Sequence, residues 1–178
     1  MQRKVRVCFY EPKSANEPWL NILAAQIGKW STNHYVSHVE IQFEDERSCS
    51  IFGGETVFFR RRSYSNPHYI VKSFTVEAKN YENMYAYCAD MEGQVTFSDL
   101  KMFCSPYLGL FSNRDATFCS ELVTRVLQRG QVDIVKGLNA SRCTPASLLK
   151  QMNRCETLCF DSTPHKISQF TSNIHYNT

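Results

Sequence analysis

Apolar and polar residues change their period along this chain, from strand-like alternation to helical spacing. Val5-Arg6-Val7-Cys8-Phe9-Tyr10 partly alternates and predicts a short strand, ended by Pro12 and Asn16. Trp19, Leu20, Ile22, Leu23, Ile27 and Trp30 then recur at helical spacing. They predict an amphipathic helix over 17–30, opened by Glu17-Pro18 and followed by the polar turn Ser31-Thr32-Asn33. Residues 35–43 alternate: Val36, His38, Glu40 and Gln42 point one way, while Tyr35, Ser37, Val39, Ile41 and Phe43 point the other. After the charged turn Glu44-Asp45-Glu46-Arg47, further strands are expected over 48–52, 55–60 and 69–76, with Gly53-Gly54 between the first two. This reads as a meander of antiparallel strands.

Helical spacing returns in the second half. Tyr81, Met84, Tyr85 and Cys88 share one face of a helix over 80–92, with Asn80 as its cap. A short helix over 97–103, capped by Thr96, and a turn over 105–109 should follow. Phe118, Leu122, Val123, Val126 and Leu127 predict the next helix, with Thr117 as N-cap and Gly130 as its stop. Thr144-Pro145-Ala146-Ser147-Leu148-Leu149 opens a last helix with Pro at the first position. Residues 155–178 are polar, with Phe160, Ile167 and Phe170 as anchors, and read as a partly ordered tail. The expected organisation is one α+β domain over 1–154, an antiparallel sheet packed against helices, followed by that tail.

Composition narrows the class. Of 178 residues, 43% are hydrophobic and 21% charged, which is ordinary for a folded domain with a buried core and argues against disorder. A net charge of +3 gives little support for a nucleic-acid partner, and none is expected. No apolar run reaches the length of a membrane span. The basic start Met1-Gln2-Arg3-Lys4-Val5 lacks a signal peptide's apolar core and cleavage site, so a cytoplasmic, reducing compartment is expected. In that setting the eight cysteines read as buried small residues or free thiols, not disulfides. Cys143, Cys155, Cys159 and His165 fit no firm zinc spacing, and neither a metal nor a cofactor is expected.

One cysteine stands apart. Cys119 falls in the first turn of its helix, where unpaired N–H groups and the helix dipole favour a thiolate. The N–H groups of Cys119 and Ser120 are also placed to hold an oxyanion. Cys104 ends a helix, where the dipole disfavours a thiolate, and ranks below it. A thiol nucleophile needs a base, and His38, mid-strand among apolar neighbours, is the best placed of five histidines. A third polar group commonly holds the imidazole tautomer. Ser50 is the first choice and Glu40, on the same face as His38, the second; strand register decides between them. Glu121 either complements the helix dipole or pairs with a basic residue. Tyr107, Phe111 and Trp30 are pocket candidates, with packing as the plainer role. Arg60-Arg61-Arg62 reads as a solvated strand end, with contact to an acidic partner or substrate as the alternative.

Trp30-Ser31-Thr32 with Tyr35-Val36-Ser37-His38-Val39-Glu40-Ile41 resembles the "W-T…Y-S-H-V-E" stretch of circularly permuted NlpC-type cysteine hydrolases of the papain-like fold. Gly53-Gly54-Glu55-Thr56-Val57 resembles their following hairpin. Phe118-Cys119-Ser120-Glu121-Leu122-Val123 is similar to their "F-C-S-E-L" nucleophile motif, and Thr144-Pro145-Ala146-Ser147-Leu148 to their "S-P-x-x-L" helix start. These pieces occur in the family's order, with His before Cys as in the permuted branch, which includes many viral and phage proteins. The resemblance implies a permuted papain-like fold with Cys119 as nucleophile and His38 as base. It also implies acyl transfer through a thioester and, for a viral chain, a place in the host cytoplasm or the virion. The third position, about twelve residues after the histidine, is a second histidine in the related lecithin retinol acyltransferases and is Ser50 here. A serine can hydrogen-bond an imidazole but cannot stabilise its cation by charge. The expected substrate is a peptide or isopeptide amide. The alternatives are lipid acyl transfer or thioester hydrolysis, and an inactive fold serving as a binding or virion structural module.

Overall fold

The computed structural model describes residues 1–12, 22, 25, 26, 29, 32–65, 67–97, 116–155 and 160–161. Six antiparallel strands form one sheet: β1 (Gln2–Tyr10), β2 (His38–Gln42), β3 (Arg47–Ser50), β4 (Phe58–Arg61), β5 (Tyr69–Glu77) and β8 (Phe160–Asp161). Their order across the sheet is β4-β3-β2-β1-β5-β8. The expected meander therefore holds only from β1 to β4. The chain then crosses to the far side of β1, and β5 pairs with β1 along its whole length, from Gln2↔Glu77 to Tyr10↔Tyr69. β1 lies in the interior of the sheet because Val5, Val7, Cys8 and Phe9 are apolar on both faces, and all four are fully buried. Part of the segment expected as a tail joins the sheet, with Phe160 and Asp161 opposite Ser73 and Lys72.

Helices cover one face. α1 (Ala78–Met91) buries Tyr81, Met84 and Cys88, three of the four residues expected on its inner face. It starts two residues before Asn80, directly from the end of β5, with Glu77 at the cap position. α2 (Cys119–Arg129) and α3 (Pro145–Arg154) follow. Thr144 caps α3 in a reciprocal box with Ser147, and Pro145 sits in the first turn. Thr96 and Phe97 do not open a helix as expected. They form the short strand β6 (Thr96–Phe97), parallel to β7 (Ala116–Thr117). The rest of the helix expected over 97–103 and the turn over 105–109 lie outside the described residues.

Among residues 17–32, the described ones, Ile22, Ala25, Gln26, Lys29 and Thr32, are helical, Thr32 lying two residues past the expected end at residue 30. Asn33, with a positive φ of 63°, stops it, and its N–H donates to the Lys29 carbonyl at 2.8 Å. Trp19 and Trp30 lie outside the described residues. No described helix is long and apolar enough to cross a membrane.

β2 is buried on both faces, although its alternation predicts a half-buried strand. Val39 and Ile41 join Leu122, Val123, Val126 and Leu127 in the main core. Burying each such aliphatic side chain contributes roughly 1.5–3 kcal/mol, enough to hold α2 firmly against β2. The polar face, with Glu40 and Gln42, is covered by the segment after β4. Gln42 donates to the Arg62 carbonyl at 2.8 Å, and Tyr64 packs with Cys8 and Val71.

Candidate active site

Cys119 is the first residue of α2 and is buried. Phe118, in extended conformation, is the N-cap, and its carbonyl accepts the Leu122 N–H at 3.0 Å. Thr117 is therefore not the cap: it pairs in β7, and no side chain caps the helix. Phe118 supplies no side-chain acceptor to the first-turn N–H groups. The Ser120 hydroxyl donates to the Cys143 carbonyl at 2.6 Å and ties the start of α2 to the approach to α3. Glu121 pairs with Arg125 at 2.7 Å and accepts from the Ser141 hydroxyl at 3.1 Å, so it has the basic partner and also lies in the first turn.

His38 opens β2, opposite Tyr10. Cys119 neighbours the imidazole and acts on it electrostatically. On the Nε2 side stand both candidate third groups, Ser50 Oγ at 3.4 Å and Glu40 Oε1 at 3.6 Å. Register brings them there: Ile41 pairs with Cys49, which sets Ser50 across from Glu40 on the next pair. The Ser50 hydroxyl donates its only proton to the Val39 carbonyl at 2.7 Å, so toward His38 it can only accept. That pattern assigns the ring proton to Nε2 and leaves Nδ1 as the bare nitrogen of neutral His38. The ring plane is held by Phe52, stacked at 4.5 Å and 19°, with Phe58 stacked on Phe52 at 5.2 Å.

Electrostatics favour the charged forms of His38 and Glu40. Burial by itself lowers the His38 pKa, but attraction and hydrogen bonding to Cys119, then to Glu40, overcome it and push the value up to about 9. Burial likewise opposes ionisation of Glu40, yet His38, Tyr64 and Arg62 outweigh it and hold the carboxyl below its ordinary range. Glu40 is completely buried. Its Oε2 accepts from the Tyr64 hydroxyl at 2.5 Å and lies 2.9 Å from Arg62 Nε.

Arg62 and Tyr64 are the residues that sequence reasoning missed. Arg60 and Arg61 are exposed, as a solvated strand end should be, but Arg62 turns inward to Glu40. The available signal was Glu40 itself: a carboxylate among apolar neighbours on an interior strand needs a cation, though spacing does not say which. Tyr107, Phe111 and Trp30, the expected pocket residues, lie outside the described residues, as do Cys104, Cys159 and His165. Cys8, Cys49, Cys88, Cys119 and Cys143 are buried free thiols and Cys155 is half-buried. Among the described residues no group of three metal-ligating side chains is disposed to hold an ion.

No family model, no curated protein and no solved structure matches this chain.

Proposed function

We propose that the chain is a thiol hydrolase of permuted papain-like type, acting on a peptide or isopeptide amide through an acyl-enzyme on Cys119. The observation that carries this reading is Cys119 at a helix start that no side chain caps, neighbouring an imidazole whose Nε2 meets Ser50 and Glu40. His38 Nδ1 takes the thiol proton, and the Cys119 thiolate attacks the amide carbonyl carbon. The tetrahedral oxyanion is held by the N–H groups of Cys119 and Ser120. Collapse breaks the C–N bond, and His38 returns the proton to the leaving amine, so a thioester and a free amine result. Water, deprotonated by His38, then attacks the thioester; a carboxylic acid leaves and Cys119 recovers its proton through His38. Glu40 stabilises the imidazolium by charge, which Ser50 does not do, and Ser50 orients the ring.

The test is the rate of iodoacetamide alkylation of Cys119 against pH, read by mass spectrometry in wild type and His38→Ala. Free amine is assayed alongside on peptide and isopeptide substrates. A paired thiol reacts fast well below the free-thiol pKa of about 8.5, and His38→Ala loses that advantage. Amine release abolished by Cys119→Ala completes the assignment. Release of fatty acid instead moves the reading to the lipid enzymes. If Cys119 ignores His38 and reacts like the other cysteines, the hydrolase reading fails.

A further inference from the structure

We infer that Arg62 and Tyr64 are positioning residues: together they grip Glu40 Oε2, keep the carboxylate ionised, and turn Oε1 toward His38. The inference rests on the reading of Cys119 and His38 as the reactive pair. Its geometry is a division of labour between two oxygens. Oε2 accepts a hydrogen bond from the Tyr64 hydroxyl at 2.5 Å and forms an ion pair, without a directed hydrogen bond, with Arg62 Nε at 2.9 Å. Oε1 makes no hydrogen bond among the described residues and lies 3.6 Å from His38 Nε2. Rotation of the carboxyl group would break the Tyr64 hydrogen bond to Oε2 and lengthen its ion pair with Arg62, so Oε1 stays aimed at the ring.

The grip is itself held in place. Gln42, two residues after Glu40, donates to the Arg62 carbonyl at 2.8 Å and accepts from Arg6 at 3.0 Å. The Arg62 N–H donates to the Glu46 carbonyl at 3.0 Å. The guanidinium lies over the Phe52 ring at 5.4 Å, the same ring that stacks on His38. One arginine thus touches both groups that define the imidazole's position, its carboxylate partner and its stacking partner.

Among the described residues, few charged and titratable groups face Glu40. His38 shares its strand, and Arg62 and Tyr64 come from the segment after β4. Cys8 stands opposite on β1, with Arg6 two residues away, and Tyr69 approaches from β5. Burial pushes the Cys8 thiol and the Tyr64 and Tyr69 hydroxyls up, so all three are neutral near pH 7. Among the described residues, Arg62 and His38 are the cations in ion-pair contact with Glu40, and loss of Arg62 leaves His38 as the one in contact.

The experiment is a carbon-13 NMR titration of the Glu40 carboxyl in glutamate-labelled protein, assigned by the signal lost in Glu40→Gln. Wild type should titrate below the ordinary glutamate value of about 4.3. Tyr64→Phe should raise the midpoint by at least about one pH unit, a tenfold gain in proton affinity. Arg62→Leu should raise it further, and Arg62→Lys, which keeps the charge without the planar fork, should fall between wild type and Arg62→Leu. A merely structural role would lower stability without moving this midpoint. If Arg62→Leu does not fold, Tyr64→Phe decides, since it removes one hydroxyl and keeps the ring packing. An unmoved Glu40 midpoint in folded Tyr64→Phe overturns the inference. The titration does not involve Cys119. Its failure is therefore separable from failure of the hydrolase reading, which shows as Cys119 alkylation indifferent to His38→Ala.

Discussion

Replacing Glu40 by glutamine removes one negative charge from a completely buried position and leaves shape and an acceptor oxygen in place. His38 holds its proton up to about 9, against an ordinary 6.5, even though burial pulls the other way. At about 1.4 kcal/mol per pH unit, the folded protein favours the imidazolium by a net ~3 kcal/mol, shared between Cys119 and Glu40. Two opposite charges 4 Å apart interact by about 4 kcal/mol at the effective dielectric of a protein near its surface, so Glu40 at 3.6 Å contributes to this preference, after Cys119. The glutamine also leaves Arg62 without its carboxylate, and that stranded cation works against a protonated ring nearby. Both changes act in one direction. The His38 midpoint in Glu40→Gln should fall by at least about one pH unit, a tenfold loss of proton affinity, and Cys119 alkylation at pH 7 should slow by up to about tenfold. Ring-proton NMR of His38 reads the first and mass-spectrometric alkylation rates read the second. A His38 midpoint that stays near 9 in a folded Glu40→Gln protein would refute the claim that Glu40 supports the imidazolium by charge.

Stability should follow the same charges. Glu40, with its folded pKa lowered, contributes stability that is full above about 4.3 and is lost as pH falls through its folded value. His38, with its folded pKa raised, contributes stability that is full below about 6.5 and is lost as pH rises through about 9. Urea midpoints across pH 4–10 should therefore be highest near 4.5–6.5, and the alkaline decline should flatten in His38→Ala; parallel declines in both proteins would contradict this. Thr144→Ala removes the acceptor of the Ser147 N–H, at 3.1 Å, and breaks the capping box of α3. It should cost about 1 kcal/mol in urea unfolding, and a cost near zero would show the cap to be idle.

The periodic parts of the chain are legible in the order of its residues. The spacing of Leu122, Val123, Val126 and Leu127 places Cys119 at a helix start, and Thr144-Pro145 marks the start of α3. The alternation over 35–43 puts His38 and Glu40 on one strand. Each depends on neighbours within a turn or a pleat, so local sequence suffices. Where local signals compete, they mislead. Thr117 is a better cap than Phe118 by residue type, but it is drawn into pairing with β6, and Thr96 goes the same way instead of capping a helix. Arg62 looks like the end of a solvated run because residue type cannot say which member of a run of arginines turns inward.

What only the tertiary structure decided is how distant segments meet. The crossing from β4 to β5 put β1 in the sheet interior and laid Arg62 and Tyr64 over the polar face of β2. The pairing of Ile41 with Cys49, not a slip by one, brought Ser50 to the same imidazole nitrogen as Glu40. Sequence could name both as partners of His38 but had to rank them, since a one-residue shift sends every side chain to the opposite face. The meeting of Cys119 and His38 joins residues 81 positions apart and comes from packing α2 onto β2. Apolar burial drives that packing, and burial is nearly indifferent to order along the chain, which is why the encounter is written in the fold and not in any spacing of residues.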